Sequence, residues 1–137
     1  METILALLRT LNEPVPKPPR LPTLDEITQA EQKYDFTFHD DYKQFLLEAS
    51  DVVLGTLEPT TIPSDTGHTF IGEVVTNARQ LGLPLTFVPI AEDNGDYYCM
   101  KPSGDIIFWS HHGVNDECWP DLETWIREVW IGEHASE

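Results

Sequence analysis

Apolar residues recur along this chain first at helical spacing, then with strand-like clustering, then at helical spacing again. Ile4, Leu5, Leu7, Leu8 and Leu11 form a short helical stripe. Pro14, Pro16, Pro18, Pro19 and Pro22 follow at a spacing no helix tolerates, so this stretch reads as an extended, polyproline-like connector. The first 11 residues are then an appendage that packs on the body or on another subunit. Thr23 with Glu26 three residues on is a capping-box pair, and Leu24, Ile27, Ala30 and Tyr34 continue it at helical spacing. Tyr42, Phe45, Leu46 and Ala49 mark another helix, with Asp40 and Asp41 at its positive end. Between these helices, Phe36-Thr37-Phe38-His39 reads as a turn that puts two rings into the core.

Residues 52–57 are rich in β-branched side chains and stop short of Pro59, which predicts a strand. A loop rich in Thr, Pro, Ser and Gly covers 59–69. Ile71, Val74, Val75, Ala78 and Leu81 predict a helix closed by Gly82 and Pro84. Strands are expected over 85–91, 96–101 and 105–110, joined by the tight turns Asn94-Gly95 and Pro102-Ser103-Gly104. Connections this short force antiparallel pairing. Leu122, Trp125, Ile126 and Val129 close the chain as a last helical stripe, with Asp121 at its start. Helices, then a β-meander, then a helix give an α+β fold. The 137 residues suit a single domain.

Charge narrows the function. Asp and Glu total 24 against 8 Lys and Arg, a net charge of −16. Nucleic acid and anionic membrane are disfavoured as partners, because each would be approached against a repulsive field. A basic partner is favoured. No stretch approaches the ~20 apolar residues of a membrane span. The apolar start lacks a basic n-region and a small-residue cleavage site, so the expected location is cytoplasmic. Cys99 and Cys118 lie far apart without a Cys-x-x-Cys motif, and both read as buried, reduced thiols.

Candidate chemistry is sparse. His111-His112 follows a strand, but adjacent residues on extended chain point to opposite faces, which suits no shared metal ion. Glu92-Asp93-Asn94-Gly95-Asp96 has the composition of a calcium loop without its order of ligands, and reads as a solvated hairpin turn. Asp40-Asp41 and Asp116-Glu117 are carboxylate pairs of the kind any acidic chain contains. No G-x-S-x-G and no phosphate-binding glycine loop occurs. No catalytic residue, metal ligand or cofactor is therefore assigned. Trp125 falls in the last helical stripe and belongs to the core, whereas Trp130 lies off it and either packs against the N-terminal appendage, the favoured reading, or is exposed as a partner anchor.

The order of segments carries a resemblance. The run 21–27, Leu-Pro-Thr-Leu-Asp-Glu-Ile, is followed by 42–47, Tyr-Lys-Gln-Phe-Leu-Leu. Then come 87–91, Phe-Val-Pro-Ile-Ala, and 94–99, Asn-Gly-Asp-Tyr-Tyr-Cys. The run 106–111 and the helix at 122–126 complete a pattern that resembles the SUKH superfamily of Smi/Knr-like domains over about residues 21–131. Phe38-His39-Asp40-Asp41 stands where a Leu-Pro pair is common in that family.

The resemblance implies a single α+β domain whose curved sheet, antiparallel or mixed, has about four to six strands flanked by helices. It divides the chain into a helix and proline-rich connector over 1–20, a Smi/Knr-like domain over 21–132 and a tail over 133–137. It implies a non-enzymatic protein-binding domain of the bacterial immunity type, which neutralises a basic toxin domain, for instance a nuclease, by occlusion. An intracellular regulatory or scaffold module without a toxin is the alternative, and an enzyme is the least favoured reading. The chain is expected to act as a monomer or homodimer, with no cofactor. The residues expected to meet the partner are Asp65, His68, Glu92, Asp93, Asp96, His111, His112, Asp116 and Glu117, with Trp119 or Trp130 as desolvated anchor.

Overall fold

Local signals set the helix boundaries in this computed structural model, which describes residues 1–64, 66–110, 112 and 116–132. Thr23 caps α2 (Leu24–Tyr34): its hydroxyl accepts from the Glu26 N–H, and the Glu26 carboxylate accepts from the Thr23 N–H. Arg20 donates two hydrogen bonds to the same carboxylate, at 2.7 and 2.8 Å, tying the proline-rich stretch to the helix start. Asp35 ends α2 in the left-handed region, and Phe36 and Phe38 both turn inward, as expected. α3 (Asp40–Ala49) is capped by the His39 ring, whose Nδ1 accepts from the Asp41 N–H. α1 (Glu2–Leu11) lies on the body against α3, burying Ile4, Leu5 and Leu8. Arg9 fixes it there by pairing with Asp51 at 2.7 Å and donating to the Glu48 carbonyl.

β1 (Val88–Asp93), β2 (Asp96–Met100), β3 (Ile106–Trp109) and β4 (Cys118–Trp119) form an antiparallel sheet in sequence order. Asn94 and Gly95, both at positive φ, make the two-residue turn that sets Asp93 opposite Asp96. Side chains then alternate between faces. Tyr98, Met100, Ile106 and Phe108 join the main core under α1, α2, α3 and the C-terminal helix. Tyr97, Cys99, Ile107 and Trp109 face the other way, onto Val74 and Ala78 of α4 (Ile71–Gln80). A bulge between Pro89 and Ala91 accommodates the proline within β1. Thr60 seals that edge, its N–H bonding the Ile90 carbonyl and its hydroxyl the Pro89 carbonyl.

Four sequence expectations are corrected. Residues 52–57 are not a strand: their polar backbone is satisfied by isolated groups instead of a ladder. The Val53 N–H meets the Asn12 side chain, the Val53 carbonyl takes the Glu13 N–H, and the Gly55 N–H meets the Glu13 carboxylate. Trp130 is fully buried, so it anchors no partner. After α5 (Leu122–Trp125) the chain continues as a π-helix over Ile126–Ile131, and Trp130, eight positions after Leu122, lies on the same buried face as Trp125 and Val129, with Ile131 turned inward beside it. Cys118 is exposed, because β4 is a two-residue edge strand, while Cys99 is buried and its thiol pKa pushed up by desolvation. Leu24 and Leu81, at helix ends, face solvent.

Gly104 turns the β2–β3 hairpin at φ 96, with its N–H on the Lys101 carbonyl. A Cβ there would lie 2.9 Å from the His39 ring, whereas one at Gly95 (φ 88) would meet nothing within 4 Å. Gly95→Ala should cost about 1 kcal/mol from backbone strain alone, and Gly104→Ala clearly more. Urea unfolding at constant m checks the order; equal costs would mean that the His39 contact yields freely.

Candidate functional site

The sheet register gathers most of the predicted residues at one end. The Asn94-Gly95 turn lies at the same end as Trp109, because Tyr97 pairs with Trp109. β4 returns antiparallel to β3, with Cys118 opposite Ile107, so the residues just before Cys118 enter from that end too. Glu92, Asp93, Asp96, His112, Asp116 and Glu117 therefore share one end of the sheet, and all but the half-buried Asp96 are exposed.

The loop over 58–70 joins this end through a bridge between Pro59 and Ala91. It is held by its own hydroxyls. The Thr61 hydroxyl donates to Thr66 at 2.6 Å, Thr66 donates to the Pro63 carbonyl, and Thr69 donates to the Thr66 carbonyl. Besides that antiparallel bridge, a parallel one from Thr61 to Phe70 closes the loop on the start of α4. At its edge the His68 ring forms an ion-paired hydrogen bond with Glu58, and the Glu92 charge also acts on it. The bond to Glu58 chiefly, then the charges of Glu58 and Glu92, hold the imidazole pKa above its ordinary value.

Among the expected partner residues, Trp119 is half-buried, its ring edge-on to Tyr98 at 5.7 Å, so at least part of it belongs to packing. Asp65 and His111 lie outside the described residues. Sequence reasoning missed Glu58, which had no motif around it; its place follows only from the Pro59–Ala91 pairing. It also missed a groove of about 600 Å³ between the proline-rich stretch and residues 50–69. Among the described residues, no three His, Cys, Asp or Glu side chains form a group that could hold a metal ion. Among them, too, no helix is long and apolar enough to cross a membrane. What the acidic end can do is attract and pair with cations through several carboxylates on a rigid frame.

A family model described as SMI1-KNR4 cell-wall (SUKH_5) matches residues 1–131. A solved structure, described as that of a protein from Pseudomonas syringae pv. tomato, superposes with a TM-score of 0.91 at 39% identity. The match covers 96% of this chain and 99% of that one. No curated protein matches.

The His68–Glu58 pair predicts a pH signature. With the folded pKa raised, its stabilisation is complete below the unfolded value of about 6.5 and is lost as pH rises through the folded one. Such an exposed pair is worth about 0.2–1 kcal/mol. The melting temperature of the wild type should exceed that of His68→Ala at about pH 5.5, and the gap should close by about pH 9. A gap that is constant with pH would exclude the pair as its source.

Proposed function

Because this chain belongs to the SMI1-KNR4 (SUKH) family, we propose that it is a non-enzymatic protein-binding domain of the immunity type, which neutralises a basic toxin domain by occluding its surface. The observation that carries this reading is the acidic end of the sheet. Glu58, Glu92, Asp93, Asp96, Asp116 and Glu117 converge there from three separate segments of a chain with net charge −16. A toxin that acts on nucleic acid must present a basic surface to phosphates, and a rigid acidic end is its electrostatic complement. Complementary fields of this kind raise association rates by about 10–10³-fold.

Steering and affinity would come from different groups. Rim carboxylates steer and orient, while release is slowed by desolvated apolar contact. The exposed part of Trp119 and the half-buried Trp109 flank the acidic residues and suit that second role.

Capture on the tagged chain from its source lysate, eluted with rising salt, tests the proposal. A basic toxin domain released only at raised salt supports it; an intracellular enzyme or structural protein would favour a regulatory module. With the captured partner, reversing Glu92 and Asp93 together to Lys should slow association at low salt by about tenfold and flatten its salt dependence, with little change in dissociation. An unchanged on-rate would remove these residues from the interface.

A further inference from the structure

The groove beside the acidic end has the opposite electrostatic character. One wall carries Pro18 and Pro19, the other Val53 and Leu57. Among the described residues its charged lining is Lys17, Arg20, His68 and Glu58, three basic groups to one acid in a chain where acids outnumber Lys and Arg 24 to 8. Two of those basic groups are already engaged: Arg20 binds Glu26 through its two terminal guanidinium nitrogens, Nη1 and Nη2, and His68 binds Glu58. Lys17 makes no ion pair and no hydrogen bond to any described residue, although Arg9, Lys43, Lys101 and Arg127 are each matched to a carboxylate.

We infer that this groove binds a small organic anion, with its acidic head on Lys17 and its apolar body between Pro18-Pro19 and Leu57. Size agrees, since about 600 Å³ falls within the roughly 300–1,000 Å³ of small-molecule pockets. The site is also pre-formed. Prolines stiffen one wall, and the closed hydroxyl network of Thr61, Thr66 and Thr69 stiffens the base of the other, so little ordering entropy opposes binding. The net charge of −16 does not forbid an anion here. At 0.15 M ionic strength the Debye length is about 8 Å, so distant carboxylates are screened while the contact with Lys17 is not. The groove shares Glu58 and His68 with the acidic end, so the inference is carried by Lys17 and the apolar walls, which the proposed protein interface does not use.

The test is a fluorescence titration of the full chain with 1-anilinonaphthalene-8-sulfonate at about 0.15 M salt. One saturable site is expected, emptied by 4-phenylbutyrate and not by the neutral alcohol 4-phenylbutanol. Lys17→Glu should weaken the dye about tenfold or more and Lys17→Arg should change it by less than about threefold, both at a single exposed position where substitution leaves the fold intact. Non-saturable binding, equal affinity in Lys17→Glu, or equal displacement by the alcohol would each overturn the proposal. None of these outcomes bears on capture of a protein partner.

Discussion

The buried indole of Trp130 is the contact on which the arrangement of this domain turns. Its N–H donates to the Leu54 carbonyl at 3.1 Å, across 76 residues of sequence. Its ring meets Phe45 edge-on at 6.0 Å, at the end of an aromatic series that runs through Tyr42 and Phe38 to Phe36. One side chain thus joins the C-terminal helix, α3 and the irregular segment after it. That segment has no ladder, so Leu54 would otherwise be a buried residue with an unpaired carbonyl, a loss of about 1–3 kcal/mol. The anchored segment leads directly to Pro59, Thr60 and Thr61, which seal the edge of β1 and carry Glu58 and His68 to the acidic end.

Charge is distributed with the same economy. Basic residues are spent within the body: Arg9 secures α1, Arg20 the start of α2, and Arg79 lies over the Phe36 ring while donating to the Tyr34 carbonyl. Arg20, with the Thr23 N–H, holds the Glu26 carboxyl down at about 2. At the sheet end the acids gather instead, Glu58, Glu92, Asp93, Asp96, Asp116 and Glu117 from three segments, with Glu58 bonded to the His68 ring. The groove with Lys17 is a local exception beside it.

How much of this is legible in sequence follows from the range of each interaction. The capping box at Thr23, the Asn94-Gly95 turn and the helical stripes depend on residues a few positions apart, and they appear where the pattern places them. The α+β class and the SMI1-KNR4 family follow as well. Residues 52–57 mislead because β-branched composition reports an extended backbone, not a strand partner. Their partners, Asn12, Glu13 and Trp130, lie at both ends of the chain. Trp130 is legible after all, since it stands eight positions after Leu122 and four after Ile126, on the very stripe that Trp125 and Val129 mark; only Ile131 turns inward outside that 3.6-residue pattern. Of the site, the hairpin carboxylates are readable as acidic turn residues, but their union with Glu58 and with Asp116-Glu117 depends on the bridge to Pro59 and the register of β4.

The claim that Trp130 organises the segment leading to the acidic end is tested most directly by amide hydrogen exchange on Trp130→Phe, which keeps a ring against Phe45 and removes the donor to Leu54. The account predicts faster exchange at the amides of Val53, Gly55, Thr60 and Thr61, with the β2–β3 hairpin still protected. Unchanged exchange at those four amides, or an equal loss of protection across the sheet, would contradict it.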